Sequence, residues 1–90
     1  MDSTTELGVI QALVARFERQ RLPRLLDIKT KVDNGGVLSD SDIMFLEVVA
    51  HDAQQSKYLI DRHPEWHKFC SEVIHLYEQI TEEALNNEKH

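Results

Sequence analysis

The apolar residues that follow Pro64 recur at intervals of three and four, and this spacing constrains the fold more than any other feature of the sequence. At about 100° per residue, they fall within an arc of roughly 120°, which is typical of a helix face turned toward a core. The positions are Trp66, Phe69, Cys70, Val73, Leu76, Tyr77, Ile80 and Ala84. Proline suits the first turn of a helix, where its missing N–H leaves no hydrogen bond unmade. The spacing predicts a helix from Pro64 to about Leu85, which then frays at Asn86-Asn87.

A second helix is predicted upstream of this one. Ser39 is a good N-cap residue, with Asp42 three positions later and Asp40 in the first turn. The main apolar row, which we expect to face the core, is Ile43, Leu46, Val49, Ala50, Ala53 and Ile60. A weaker second row comprises Met44, Val48 and Leu59. Two rows indicate two neighbours, and the second is either another helix of the same chain or a partner chain.

The amino-terminal third predicts a long first helix. Ser3 and Glu6 have the spacing of a capping box, and Asn34-Gly35-Gly36 is a strong helix stop. One apolar row runs through the segment: Leu7, Ile10, Val14, Phe17, Leu25, Ile28 and Val32. Pro23 interrupts it, and two interpretations stay open. Either one helix runs from about 4 to 33 with a kink near Pro23, which we prefer, or two helices meet there.

These elements predict an all-α, three-helix bundle that forms a single domain over residues 1–90. Short connections make sequential helices antiparallel neighbours, so the second and third helices should form a hairpin. At 1.5 Å per residue the first helix would be about 45 Å long, and the other two about 33 Å. We therefore expect the first helix to overhang the hairpin and its uncovered apolar row to pack on a second copy, giving a homodimer.

Charge and composition exclude several classes of protein. The net charge is −6, yet residues 16–31 hold six of the ten basic side chains against two acidic ones. No apolar run approaches the roughly 18–20 residues of a membrane span. The acidic, polar start does not match a signal peptide, and a single cysteine excludes an internal disulfide. We expect a cytoplasmic protein with no membrane partner.

Three arginines around Pro23 form the candidate binding surface: Arg19, Arg21 and Arg24. Arg21 and Arg24 fall near the apolar side of the first helix, where an arginine needs a partner. One interpretation is ion pairing with the last helix, within the chain or across a dimer, through Glu78, Glu82 and Glu83. The other is an anion-binding surface for a phosphorylated ligand, an acidic protein or a nucleic acid. Nucleic acid is the least favoured, because the acidic remainder of the chain would repel a phosphate backbone.

A metal site is the alternative hypothesis. Glu72 and His75 have the Glu-x-x-His spacing of di-iron helical bundles, and Glu47 and His51 are four residues apart. A di-metal centre requires these side chains to converge inside the bundle, whereas the helical periodicity turns His51 and His75 away from the apolar rows. A second Glu-x-x-His pair is also missing. The preferred interpretation is therefore a protein with no metal and no cofactor.

Nothing in the sequence predicts catalysis. Cys70 lies within the apolar row of the last helix, where a buried thiol has a high pKa and is a poor nucleophile. The chain contains no phosphate-binding loop, no dinucleotide fingerprint and no nucleophile-elbow motif. We therefore predict that the protein is not an enzyme.

Three segments resemble a group of short, uncharacterised bacterial proteins with the same all-helical layout. They are the stretch Arg16–Arg24 (RFERQRLPR), the turn Leu38-Ser39-Asp40 and the later His63-Pro64-Glu65-Trp66. The resemblance spans most of the chain and implies a bacterial source, but no activity. The leading hypothesis is thus a non-enzymatic interaction or adaptor protein that self-associates. Its expected contact surface combines Arg19, Arg21 and Arg24 with Met44, Val48 and Leu59.

Overall fold

A computed structural model describes the backbone of residues 3–89 and the side chains of residues 5–89. In chain order the elements are α1 (Ser3–Arg16), a π-helical stretch (Phe17–Arg21), α2 (Leu22–Asp33), α3 (Asp40–Asp61), a 3₁₀ turn (Pro64–Trp66) and α4 (His67–Glu88). This part of the chain contains no strand, and none of its helices is long and apolar enough to cross a membrane. The prediction of an all-α chain is confirmed.

The first helical run passes through Pro23 without a break. Leu22, just before the proline, has helical backbone angles (φ −59°, ψ −44°), and its N–H donates to the carbonyl of Phe17, five residues back. A proline inside a helix lacks an N–H, and its ring crowds the carbonyl four residues earlier, which is that of Arg19. The wider π-helical turn immediately before Pro23 relieves this crowding. The backbone is thus helical on both sides of Pro23, which lies in the first turn of α2.

The predicted cap of α3 is present. Ser39 Oγ accepts a hydrogen bond from the backbone N–H of Asp42 at 3.1 Å, and Asp42 Oδ2 accepts one from the N–H of Ser39 at 3.0 Å. The ammonium of Lys31 on α2 also donates to Asp42 Oδ2, at 2.7 Å. One carboxylate therefore caps α3 and ties it to α2. The Lys31 ammonium, followed by the Ser39 N–H, holds the pKa of Asp42 below its ordinary value.

The two glycines of the α2–α3 connection are required by geometry. Gly35 has φ of +89°, in the left-handed region that favours glycine. A Cβ at Gly36 would lie 2.8 Å from the carbonyl oxygen of Lys31, which accepts the Gly36 N–H at 2.9 Å. The predicted helix stop therefore depends on both residues.

Asn87 fixes the end of α4 to this connection. Its side-chain amide donates to the carbonyl oxygens of Val32 at 2.9 Å and Gly36 at 2.8 Å. Carbonyls at the end of a helix lack partners within the helix, and Asn87 supplies one for Val32. The predicted fraying at Asn86-Asn87 is wrong, because this contact lets α4 continue to Glu88.

Polar contacts distributed along the chain give the relative directions of the helices. Glu6 contacts His63, Arg21 contacts Asp52 and Lys31 contacts Asp42. Along α1 and α2 the residue numbers of these contacts rise, while those of their partners on and after α3 fall. Helix α3 therefore runs antiparallel to α1 and α2. Lys29 lies 3.5 Å from Glu83, and Val32 is bound by Asn87, so α4 runs parallel to α2.

The first helix does not overhang α3 as predicted. The helical run 3–33 is about 46 Å long, but α3 and the residues after it accompany the run from Glu6 to Lys31. Because there is no overhang, helix length gives no reason to expect a homodimer. The apolar surface that α1 leaves uncovered has another cause, described below.

The hydrophobic core lies at the α2 end of the molecule. Its buried members are Leu25, Ile28, Phe45, Leu46, Val49 and Ile80, and the partly buried Phe17, Leu38, Leu76 and Tyr77 pack against them. The main row of α3 is displaced from its predicted position. Ile43, expected in the core, is 41% exposed, whereas Phe45 is buried. The α4 row faces inward, but only Ile80 and Ala84 on it are fully buried.

An apolar groove of about 520 Å³ opens between α1, α3 and α4 at the other end. Large side chains from α1 and α4 line it, among them Phe17 and Phe69, whose rings meet edge to face at 6.0 Å. On α3 the lining positions between Val49 and Leu59 include the small residues Ala53 and Ser56. Because α3 supplies no large apolar side chain there, the groove remains unfilled.

A buried ion-pair cluster closes this end of the molecule. Glu6 Oε2 lies 2.9 Å from Nε2 of His63, and Glu6 Oε1 lies 3.0 Å from Nη2 of Arg62. The Glu6 and His63 side chains are 4% and 6% exposed. Glu65 Oε1 approaches the other ring nitrogen of His63 at 3.5 Å. The sequence predicted a capping box for Glu6 with Ser3, whose side chain lies outside the described residues. The Glu6 carboxylate joins α1 to the α3–α4 connection.

Replacing Asp42 by asparagine should lower the free energy of unfolding by about 1 kcal/mol at pH 7. The amide can still cap α3 but cannot pair with Lys31 as a carboxylate does. Because the pKa of Asp42 is lowered in the folded state, its stabilisation is fully present above the unfolded pKa of about 4 and is lost as pH falls through the folded pKa.

Urea unfolding of wild type and Asp42→Asn at pH 7 and at pH 2–3 tests this expectation. The difference should shrink at the acid end. Asp40→Asn, in the same helical turn but exposed, is the matched control. An equal loss in both variants, or a difference that persists in acid, would contradict the assigned role of Asp42.

Truncating Glu6 to alanine should lower the free energy of unfolding by about 3 kcal/mol, because it leaves the buried His63 without its carboxylate partner. A double-mutant cycle with His63→Ala should give a coupling energy of at least about 1 kcal/mol. Glu65→Ala, at a side chain that is 53% exposed, should have an effect within about 0.5 kcal/mol. Additive losses from Glu6→Ala and His63→Ala would contradict the contact.

Candidate interaction surface

Arg24 reaches from α2 across the start of α3. Its Nη2 donates to Ser41 Oγ at 2.8 Å and approaches the Ser41 carbonyl oxygen at 3.3 Å. The guanidinium carbon lies 4.7 Å from the centre of the Phe45 ring, within cation–π range. A longer ion pair to Asp42, at 3.9 Å, completes the contacts. The sequence indicated that this arginine needs a partner, and the α3 face supplies it.

Two exposed apolar side chains lie beside Arg24. Met44 is 66% exposed and Val48 is 41% exposed. With Arg24 they line a shallow depression of about 640 Å³ on the surface, whose remaining lining residues are Ser41, Phe45, Glu47 and His51. The structure thus places Arg24 beside Met44 and Val48, which are part of the contact surface expected from the sequence. We call the face formed by Arg24, Met44, Glu47 and Val48 the α3 surface.

The predicted cluster of three arginines is divided in the structure. Arg24 belongs to the α3 surface, but Arg21 lines the apolar groove and pairs with Asp52 at 3.3 Å. Arg19 is exposed and makes no ion pair or hydrogen bond within the described residues. The π-helical turn separates these side chains, so the three arginines do not form one anion-binding site.

The predicted ion pairs of these arginines with Glu78, Glu82 and Glu83 of the last helix are not present within the chain over residues 5–89. Arg21 and Arg24 contact residues of α3, at Asp52 and Ser41. The basic side chain of this segment that reaches α4 is Lys29, which lies 3.5 Å from Glu83 and 2.6 Å from Asp33. The prediction failed because the antiparallel α3, and not α4, borders the arginine side of the long helical run.

Leu59 is no part of the α3 surface. Only 6% of it is exposed, and it lines the apolar groove at the opposite end of α3. Its assignment to the row of Met44 and Val48 is therefore corrected. Met44 and Val48 are four residues apart and share one face, whereas Leu59 follows Val48 by eleven residues, so the helical drift carries it to the interior.

The side chains of the metal hypothesis do not converge. Glu47 and His51 line the α3 surface and are exposed, while Glu72 and His75 are exposed on α4. Among residues 5–89 no group of three or more histidine, cysteine, aspartate or glutamate side chains is arranged to hold a metal ion. The described part of the chain therefore offers no support for a site built from these four residues.

Cys70 lines the groove and is partly buried. Burial raises the pKa of its thiol, and the negative charge of Asp61 raises it further. Both effects disfavour the thiolate, which is the nucleophilic form. The predicted chemical inertness of Cys70 agrees with this environment.

Sequence reasoning missed Phe45 and Ser41, the two residues of α3 that hold Arg24. Phe45, Leu46 and Val49 are spaced by one and three residues and share a face with Asp42. The position of Asp42 therefore indicates which face of α3 is buried, provided that Lys31 is recognised as its partner. The pairing itself joins residues eleven apart across a turn, and helical periodicity cannot reveal it.

Comparison of the chain with protein-family models, with curated proteins and with solved structures finds no match.

Replacing Arg24 by lysine should lower the free energy of unfolding by about 0.5–1 kcal/mol, although the charge is kept. Lysine lacks the planar fork that covers Phe45 and binds Ser41 together. Arg19→Lys is the matched control, because Arg19 makes no ion pair or hydrogen bond in the described part of the chain. It should be neutral within about 0.3 kcal/mol. Thermal and urea unfolding measure both. Equal stabilities of the two variants would show that the Arg24 contacts do not stabilise the fold.

Proposed function

We propose that this protein is a non-enzymatic interaction protein that self-associates through the α3 surface. The observation that supports the proposal is the exposure of Met44 and Val48 beside the fixed guanidinium of Arg24. Methionine adapts its shape to a partner, and methionine, aromatic residues and arginine are enriched at protein interfaces. Ile43, 41% exposed on the neighbouring face of the helix, would extend the apolar contact.

The charges of the α3 surface suit a twofold-symmetric contact with a second copy. A twofold interface apposes the same patch on both subunits, so the patch must be self-complementary. Arg24 and Glu47 line the same depression, and in an antiparallel pairing of two α3 helices each arginine can face the partner's glutamate. A stable interface buries about 1,200 Å² or more in total, so helix α3 would have to be contacted over several turns.

The finer architecture belongs to the same proposal. We infer a three-helix bundle with a first helix kinked at Pro23 and an antiparallel hairpin of α3 and α4. The π-helical stretch before Pro23 supports the kink, because kinks in helices occur at prolines and π-bulges. The α3–α4 connection is short, and His67 Nε2 contacts the carbonyl oxygen of Ile60 across it at 3.0 Å, which supports the hairpin.

A bacterial cytoplasm is the proposed setting. The proposal draws on the resemblance of the Arg16–Arg24 segment to short bacterial proteins and on the single cysteine. An acidic protein with a divided arginine cluster is a poor ligand for nucleic acid, so the expected partner is a protein, first of all a second copy.

The double variant Met44→Asp, Val48→Asp should abolish self-association, because it places four carboxylates in the contact of two α3 helices. Both positions are exposed, so the fold should be retained. Analytical ultracentrifugation from about 1 to 200 µM protein should show a dimer for wild type and a monomer for the variant, a change of at least about tenfold in the dissociation constant.

The matched control is Leu85→Asp on α4, because Leu85 is a similarly exposed apolar residue, at 54%, away from the α3 surface. It should leave dimerisation unchanged. A wild type that stays monomeric at 200 µM, or a control that dissociates as much as the double variant, would contradict the proposal. The charge pairing has its own test: Arg24→Glu and Glu47→Arg should each weaken the dimer, and an equimolar mixture of the two should restore it.

A further inference from the structure

The apolar groove between α1, α3 and α4 is a second, separate site. Its floor includes Ile10 and Val49, which are 0% and 4% exposed, so the groove extends to the interior between the helices. Apolar walls of Phe17, Phe69 and Val73 surround this floor. Cavities of roughly 300–1,000 Å³ with a mainly apolar lining and a few polar groups are typical of small-molecule sites, and this one measures about 520 Å³.

The groove is elongated, which suits a chain-shaped occupant. From Ile10 to Arg21 it follows α1 and the π-helical stretch for about 16 Å. Dry apolar cavities are known to take up apolar molecules: one of about 150 Å³ holds benzene. The space here suits an extended hydrocarbon chain.

Three basic and two acidic side chains line the groove, although the chain as a whole has a net charge of −6. Of these, Lys57 and Asp61 pair with each other at 2.7 Å. Arg16 and Arg21 both line the groove. In an α-helix, residues five apart point about 140° from each other. The i→i+5 hydrogen bonding of the π-helical stretch instead brings Arg16 and Arg21 to nearly the same side of the helix. Arg21 pairs with Asp52, but Arg16 makes no ion pair or hydrogen bond within the described residues. Arg16 is therefore available for an anion.

From this geometry we infer that the groove binds one molecule of a free fatty acid, with the acyl chain between α1, α3 and α4 and the carboxylate on Arg16 and Arg21. Arginine binds a carboxylate through two parallel N–H groups. The ligand is held without a covalent bond, because a free carboxylate does not acylate a thiol such as that of Cys70. This inference does not depend on the α3 surface, which lies on other residues of α3.

Calorimetric titration with monomeric laurate is the direct test. We expect saturable binding with one laurate per chain. Dodecyltrimethylammonium, with the same chain length and the opposite charge, should bind at least about tenfold more weakly. Arg16→Glu should weaken laurate binding by at least about tenfold and strengthen that of the cation. Arg19→Glu, at an exposed arginine that does not line the groove, is the matched control and should leave both unchanged.

A filled groove provides an independent test. Ala53→Leu with Ser56→Leu places two large side chains in the gap on α3, so laurate binding should be lost. The melting temperature should not fall, since the new side chains bury apolar surface and leucine favours the helix. If this variant does not fold, Val73→Trp on the facing wall serves instead, and Arg16→Glu tests the site without filling it.

Five results would overturn the inference. The first is the absence of saturable laurate binding, and the second is equal affinity for laurate and the cation. The third is a loss on Arg19→Glu as large as that on Arg16→Glu, which would indicate a general effect of charge. The fourth is a dimer that the filled-groove variant dissociates, which would show that a second copy occupies the groove. Binding to vesicles of anionic phospholipid without binding of laurate would also contradict a free fatty acid as ligand.

Discussion

The position of Pro23 inside a continuous helix governs much of the remaining structure. Because a proline cannot donate to the carbonyl four residues earlier, the backbone adopts a π-helical turn over Phe17–Arg21. This turn changes the relative directions of the basic side chains on either side of it. Arg16 and Arg21 face the groove, while Arg24 crosses to Phe45 on α3. Pro23 thus places the basic side chains of this segment on two surfaces, the apolar groove and the α3 surface.

Ionic contacts at both ends of the long helix hold α3 against it. Asp42 is bound by Lys31 and Ser39 at one end, and Glu6 is bound by His63 and Arg62 at the other. Between them the packing is uneven. Large residues fill the α2 end, whereas Ala53 and Ser56 leave space at the α1 end. Because both ends are fixed, α3 cannot move inward to close that space, and this explains how a short chain keeps an open apolar groove.

Periodicity predicted much of the fold and only part of the candidate site. The helical rows, the Ser39 cap and the glycine stop follow from local rules, and each is present. Periodicity also identified Met44 and Val48 as a second apolar row, and the structure shows that both are exposed. Periodicity assigned Ile43 to the buried face of α3 and Leu59 to the outer row, and both assignments are wrong. A row of small and large apolar residues does not by itself fix the rotation of a helix. The buried contact of Glu6 with His63 spans 57 residues and has no local signal.

By itself, the sequence determined that the chain is helical, roughly which segments form the helices, and where positive charge is concentrated. These properties depend on interactions within a few residues, such as caps, turns and the spacing of apolar side chains. Only the tertiary structure decided that Arg24 contacts α3 instead of α4, that Leu59 is buried and that a groove opens beside Ala53. Those outcomes depend on the rotation and separation of whole helices, which are set by packing and by ion pairs between residues far apart in the chain.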